Sequence, residues 1–73
     1  MVRLSGEGKK RLIVDLLAEL KLVASKSEAR RLIQQNAVWV NGQKVTGVDR
    51  LLEPSGEYLL KVGKRRFKRV NFY

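Results

Sequence analysis

The first half of the chain carries apolar residues at helical spacing. Residues three or four apart share one face of an α-helix, because each residue turns by about 100°. From about Lys9 to Leu20 the shared face is apolar: Ile13, Leu16, Leu17 and Leu20. This pattern predicts a first helix. Its basic start, Lys9–Arg11, is either a solvated cluster or charge kept for an anion.

A second helix is predicted from the capping signal Ser25-Lys26-Ser27-Glu28. In such a capping box the Ser25 side chain accepts from the third helical residue, and Glu28 reaches back. The helix extends to about Gln35. Asn36 favours the left-handed conformation that ends a helix. The expected buried face consists of Ala29, Leu32 and Ile33.

The segment Val38–Val45 has the pattern of a β-hairpin. Its Asn41-Gly42 pair is preferred in type I′ turns, where both residues take positive φ. A two-residue turn pairs Val40 with Gln43, and Trp39 with Lys44. The valines then share the inner face. Trp39 shares the outer face with Lys44, where its indole either covers apolar surface or stacks on a base.

A second hairpin is predicted around Gly63-Lys64, with strands Tyr58–Val62 and Arg66–Val70. Alternation places Tyr58, Leu60 and Val62 inward, and we expect Phe67 to point inward as well. The segment 47–54 between the hairpins is expected to be a loop with a short apolar insert, Leu51-Leu52.

The order of helix, helix, hairpin, loop and hairpin predicts an α+β domain, in which two helices pack on a small, mostly antiparallel sheet. We expect one domain over residues 9–70. Residues 1–8 are expected to be a flexible lead-in or linker, and 71–73 a tail.

Composition narrows the functional classes. The chain has 73 residues, a net charge of +9, and neither Cys nor His. A disulfide framework, a zinc finger, a thiol nucleophile and an imidazole base are therefore excluded. We expect no enzyme activity, no metal and no cofactor, and no apolar run is long enough for a membrane span. A small basic domain most often binds a polyanion, nucleic acid above all.

The candidate binding residues are cations and amides on predicted exposed surfaces. The outer face of the second helix carries no acid, whereas a structural surface helix normally mixes charges. Its groups are those that contact phosphates and nucleotide edges. We also expect this helix to lie close to the first hairpin, because it leads directly into it. The predicted RNA-binding residues are Lys26, Ser27, Arg30, Arg31, Gln34, Gln35, Asn41, Lys44, Lys64, Arg65 and Lys68.

Each of these residues also has a purely structural interpretation. Arg30 and Arg31 offer the guanidinium fork that matches phosphate, but they could be a solvated surface pair. Ser27 could cap the helix, Asn41 is first a turn residue, and the amides could be merely solvated.

The run S-K-S-E-A-R-R-L-I at residues 25–33, followed by V-x-V-N-G-x-x-V at 38–45, resembles the RNA-binding domain of the ribosomal protein S-four family. The resemblance covers about residues 12–70. It implies an αL-type RNA-binding motif, in which the second helix and the following hairpin form the RNA surface. Lys21 and Asn36 stand where that family often has Gly.

Within that family, the L-K-V-G-K-R-R-F run at residues 60–67 is most similar to the C-terminal domain of bacterial tyrosyl-tRNA synthetases. The resemblance implies a non-catalytic module that holds tRNA(Tyr) around the anticodon stem and long variable arm. It also implies a cytoplasmic parent, homodimeric through a catalytic domain absent here, and a monomeric isolated domain.

Two other interpretations stay open. The same type of domain occurs in stand-alone ribosome-associated proteins and in pseudouridine synthases, where the partner is ribosomal RNA. Charge alone would also allow docking on an anionic membrane or an acidic protein. Neither predicted helix, however, has the apolar outer face of a membrane-inserting helix.

Overall fold

Two helices pack on one side of a five-stranded sheet in the computed structural model, which describes residues 2–5 and 8–73. The elements are β1 (Val2–Leu4), β2 (Arg11–Leu12), α1 (Ile13–Glu19), α2 (Lys26–Gln34), β3 (Val38–Val40), β4 (Gln43–Lys44), β5 (Leu51–Leu52), β6 (Gly56–Val62) and β7 (Arg66–Phe72). The large sheet has the order β1-β7-β6-β3-β4, and a small second sheet pairs β2 with β5.

The pairing between neighbouring strands is antiparallel everywhere in these sheets except between β1 and β7. The predicted α+β class, with two helices, two hairpins and a mostly antiparallel sheet, is therefore confirmed. The core fills the space between the helices and the inner face of the large sheet, where Leu16, Leu17, Ile33, Leu60 and Val70 are fully or almost fully buried.

Helix α2 begins at the predicted cap. The Oγ of Ser25 accepts a hydrogen bond from the backbone N–H of Glu28 at 3.2 Å. The carboxylate of Glu28 reaches back to accept from the N–H of Ala24 at 3.4 Å. Orphan N–H groups before and within the first turn are thus satisfied, as the capping signal predicts.

Both helices end in the same way, with a residue of positive φ. Lys21 has φ 60° and Asn36 has φ 59°. In each case two backbone hydrogen bonds close a Schellman motif, as when Leu22 donates to the carbonyl oxygen of Leu17 at 3.0 Å. The motif turns the chain sharply after each helix. After α2, it directs the chain into β3.

Helix α1 is shorter than predicted. It begins at Ile13 instead of Lys9. Arg11–Leu12 pairs instead with Leu51–Leu52, which the sequence suggested was a loop insert. The N–H of Ile13 donates to the carbonyl oxygen of Arg50 at 2.9 Å. Strand pairing with a segment forty residues away therefore overrides the helical pattern at the basic start.

Residues assigned to a lead-in and a tail form part of the sheet. Val2–Leu4 is strand β1, parallel to β7, with Val2 opposite Val70 and Leu4 opposite Phe72. Phe72 is buried in the core. The prediction that these residues lie outside the fold is wrong at 2–4 and at 71–72. Met1, Gly6 and Glu7 of the predicted lead-in lie outside the described residues.

The first hairpin has the predicted register. Trp39 pairs with Lys44, and Val40 with Gln43. The turn residues Asn41 and Gly42 have φ 52° and 82°, as a type I′ turn requires. The inward direction of the valines is confirmed by the burial of Val38, Val40 and Val45.

The second hairpin is longer than predicted, and the predicted inward direction of Phe67 is wrong. Val62 pairs with Arg66 across a three-residue loop. This register turns Arg66 toward the helices and Phe67 away from them. Phe67 is 64% exposed instead of buried. Val70 and Phe72 supply the apolar contacts that we had expected Phe67 to make.

Neither helix in the described parts of the chain combines the length and the apolar run needed to cross a membrane.

Candidate nucleic-acid interface

Helix α2 presents a polar face away from the core. Ala29 and Ile33 are buried, which fixes the rotation of the helix. Leu32, also predicted on the buried face, is half-buried against the core, and Glu28 is half-buried. The exposed residues of this helix and of its end are Lys26, Ser27, Arg30, Arg31, Gln34 and Gln35.

A groove of about 510 Å³ runs between α2 and the turn of the β6–β7 hairpin. Its lining residues are Glu28, Arg31, Leu32, Val62, Gly63, Lys64, Arg65 and Arg66. The hairpin turn is held in place beside the end of α2, since the N–H of Gly63 donates to the carbonyl oxygen of Ala37 at 2.8 Å. One groove is therefore lined by three predicted binding residues from distant parts of the chain: Arg31, Lys64 and Arg65.

Arg66 connects the second hairpin to the helices at the edge of the groove. Its Nη1 donates to the carbonyl oxygen of Leu22 at 3.2 Å and lies 3.7 Å from Oε1 of Glu28. Arg66 is not among the binding residues predicted from the sequence. The side chain turns toward the helices because Arg66 pairs with the inward-facing Val62, and this register follows from the three-residue loop of the hairpin.

Ion pairing leaves the groove positively charged. Five carboxylates are held by cations elsewhere or at the groove edge: Asp15, Glu19, Glu28, Glu53 and Glu57. Glu28 is the acid that lines the groove, and Arg66 offsets its charge. Within the described residues, six predicted site cations make no ion pair: Arg30, Arg31, Lys44, Lys64, Arg65 and Lys68.

Two predicted site residues have structural partners. Lys26 lies 3.1 Å from Oδ1 of Asp15, which ties α2 to α1. The Oδ1 of Asn41 accepts a hydrogen bond from the N–H of Leu59 at 2.8 Å, so this side chain links the first hairpin to β6. Both residues are exposed.

Two sets of predicted residues lie apart from each other in the structure. Arg31, Lys64 and Arg65 line the groove on the helix side of the molecule. Lys44 pairs with Trp39 on the opposite face of the sheet, and Asn41 occupies the turn beyond it. We expected the first hairpin to lie beside the binding face of α2. The turn of the second hairpin lies there instead.

Comparison with known proteins assigns a class to this small basic α+β domain. Residues 1–70 match the family model described as Tyrosine--tRNA ligase SYY-like C-terminal domain. The chain belongs to this family, the C-terminal domains of tyrosine--tRNA ligases. The resemblance noted from its motifs is thereby confirmed.

Individual ligases show the same likeness. The chain is 54% identical over 69 residues to the tyrosine--tRNA ligase of Geobacter metallireducens, which covers 94% of this chain and 17% of that protein. It is 46% identical over 59 residues to the ligase of Thermotoga maritima, covering 81% of this chain and 15% of that protein. The chain thus spans about a sixth of the length of the relatives it matches.

Proposed function

We propose that this chain is a non-catalytic RNA-binding module that holds tRNA(Tyr) around its anticodon stem and long variable arm. The observation that carries the proposal is the groove in which Arg31, Lys64 and Arg65 converge, with the charge of the lining acid offset by Arg66. Family membership supports tRNA(Tyr) as the partner, because the relatives are tyrosine--tRNA ligases. The aminoacylation chemistry belongs to the remainder of such a ligase.

The groove suits an RNA backbone chemically. A guanidinium fork matches the geometry of a phosphate, and a lysine adds a mobile point charge. Gln34 and Gln35 are exposed beside Arg31 on α2, where their amides can reach ribose hydroxyls. Recognition then rests on stem shape and 2′-hydroxyl groups, because protein side chains cannot read the deep major groove of A-form RNA.

The proposal extends to the setting of the domain. In a cytoplasmic, homodimeric ligase, attachment of this module raises its effective concentration near the same tRNA. A module with few contacts can therefore be weak alone and still contribute strongly in the whole enzyme. The isolated chain is proposed to be monomeric.

The test is a binding titration of the chain at two salt concentrations. The ligands are tRNA(Tyr), the same tRNA without its variable arm, and an unrelated RNA hairpin of equal length. We expect preference for intact tRNA(Tyr). For about five neutralised phosphates, the logarithm of affinity should fall against the logarithm of salt with a slope of roughly −3.5 to −4.5.

Equal affinity for all three RNAs would contradict the proposed specificity. It would favour the alternative that the family resemblance left open, in which a domain of this type binds ribosomal RNA. Failure to bind any RNA even at the lower salt concentration, where phosphate contacts are strongest, would contradict the proposed function as a whole.

A further inference from the structure

A row of alternating cations and aromatic rings crosses the outer face of the large sheet. Lys44 of β4 pairs with Trp39 of β3, Trp39 pairs with Lys61 of β6, and Lys61 pairs with Phe67 of β7. Directly paired residues stand side by side on one face of a sheet. Lys44, Trp39, Lys61 and Phe67 therefore form one continuous line over four strands, which we call the outer row.

The outer row faces away from both helices. Lys61 lies between Leu60 and Val62, which are buried in the core, so its side chain points to the opposite side. Phe67 is 64% exposed, and Leu59 beside the row is 37% exposed. Among the described residues, nothing covers these apolar groups. The groove that supports the proposed function lies on the other side of the sheet.

We propose that the outer row binds unpaired nucleotides of RNA, with Trp39 and Phe67 as stacking platforms and Lys44 and Lys61 as phosphate contacts. This inference rests on the proposed RNA-binding function and adds a second contact surface to it. The groove would hold the backbone of a stem, and the outer row would hold bases that are free of pairing.

The geometry of the row fits this ligand. Nζ of Lys61 lies over the ring of Trp39, 5.5 Å from its centroid, so this exposed cation moves aside when a base stacks there and is then placed to contact the adjoining phosphate. Trp39 and Phe67 are separated by one strand, which places their backbones about 10 Å apart. Bases that leave a stem expose both faces, and stacking on aromatic side chains is tolerant of base identity. Hollows of about 370 and 420 Å³ adjoin the two rings, and Leu59 lines both.

The charge of the row favours RNA over a protein partner. Lysine is depleted in the cores of protein–protein interfaces, whereas two lysines lie within this row. The acid on the neighbouring positions of this face, Glu57, lies 3.1 Å from Arg69 and is thereby offset. A polyanion with flat apolar groups complements this surface better than an apolar protein face does.

The experiment uses the intrinsic fluorescence of Trp39, the single tryptophan of the chain. The chain is titrated with a single-stranded oligoadenylate about eight nucleotides long, within the site size that such surfaces accommodate. Parallel titrations use an RNA stem closed by a short loop and polyglutamate of matched charge. Stacking should quench the Trp39 emission with the oligoadenylate, and polyglutamate should leave it unchanged.

Phe67→Leu is the diagnostic variant, because it keeps apolar bulk and removes the ring. We expect it to weaken oligoadenylate binding about tenfold, within the range measured for loss of one stacked base. Tyr73→Leu is the matched control. Tyr73 is also an exposed aromatic residue, 68% accessible, but it lies away from the row, where its N–H donates to the carbonyl oxygen of Leu4 at the β1 edge of the sheet. It should leave affinity unchanged.

Arg31→Ala separates this inference from the proposed function. Loss of stem binding in Arg31→Ala, with oligoadenylate quenching retained, would support two distinct surfaces. Stem binding without any change in Trp39 emission by oligoadenylate would overturn the outer row and leave the proposed function standing. Equal quenching by polyglutamate would also overturn it, since an acidic peptide would then serve as well. Because the quenching measurement needs no substitution, the result does not depend on the folding of any variant.

Discussion

The guanidinium of Arg66 donates a hydrogen bond to the carbonyl oxygen of Leu22, 44 positions earlier in the chain. Leu22 lies in the connection between the two helices, and Arg66 begins the last strand. The contact joins the second hairpin to the helical layer at the edge of the groove. The same guanidinium lies 3.7 Å from Glu28, whose carboxylate also accepts from the N–H of Ala24.

Replacing Arg66 with Ala should destabilise the fold modestly. The lost hydrogen bond contributes about 1 kcal/mol, and the partly exposed ion pair adds little. For a domain of this size, about 1 kcal/mol lowers the melting temperature by roughly 4–8 °C. Thermal unfolding followed by circular dichroism measures the change. Arg65→Ala is the control, because Arg65 is exposed and makes no ion pair within the described residues. An equal loss in both variants would argue against the Arg66 link.

Arg31 should matter more than Arg30 for binding to the RNA stem. Both are exposed on α2, but Arg31 lines the groove with Lys64 and Arg65, and Arg30 does not. Arg31→Ala should reduce the steepness of the salt dependence by about 0.7–0.9 for one lost phosphate contact. Titration of each alanine variant against tRNA(Tyr) at several salt concentrations gives these slopes. If Arg30→Ala reduced the slope more than Arg31→Ala, the groove would not be the contact surface.

Asn41 should stabilise the first hairpin through two separable effects. It has φ 52°, and its Oδ1 accepts from the N–H of Leu59. Asn41→Ala loses both features and should cost about 1–2 kcal/mol, the combined effect of a strained φ and a lost hydrogen bond. Asn41→Gly keeps the tolerance of positive φ and should cost less. Chemical denaturation ranks the variants, and Asn41→Asp, which retains an acceptor, should stay closest to the original protein.

Lys21→Gly should make the domain more stable. Lys21 has φ 60°, a conformation that costs a residue with a Cβ about 1–2 kcal/mol. Glycine avoids that cost but loses more chain entropy on folding, so a net gain of about 0.5–1 kcal/mol is expected. Lys21→Ala tests whether removal of the charge explains the gain, because alanine keeps the strained φ. A rise in stability with alanine equal to that with glycine would contradict the backbone explanation.

Local signals in the sequence predicted the parts of the fold that depend on neighbouring residues. The Ser25 cap, the helix ends and the Asn41-Gly42 turn each follow from a few adjacent residues, and each is present. The polar face of α2 follows from the helical period alone. These features explain why the fold class and the helical half of the groove were predictable.

Long-range strand pairing determines the parts that were not predicted. Arg11–Leu12 is a strand because Leu51–Leu52 lies beside it, and nothing near residue 11 signals that partner. Around Phe67, pairs of cations separate single apolar residues, so the period of two that marks an inner face of a strand is absent. The register depends on the number of residues in the hairpin loop, and a shift by one reverses every side chain. Phe67 therefore lies on the outer face of the sheet, opposite to the prediction, and Arg66 lines the groove.

The pairing of Val2 with Val70 gives the fold an order of assembly. The two hairpins and the pair of helices can form from segments that are close in the chain, at a small entropy cost for closing each loop. Strand β1 can dock only after nearly the whole chain has folded back, so it should join last and detach first. We therefore expect opening of this domain to begin at the edge of the large sheet formed by β1, next to β7.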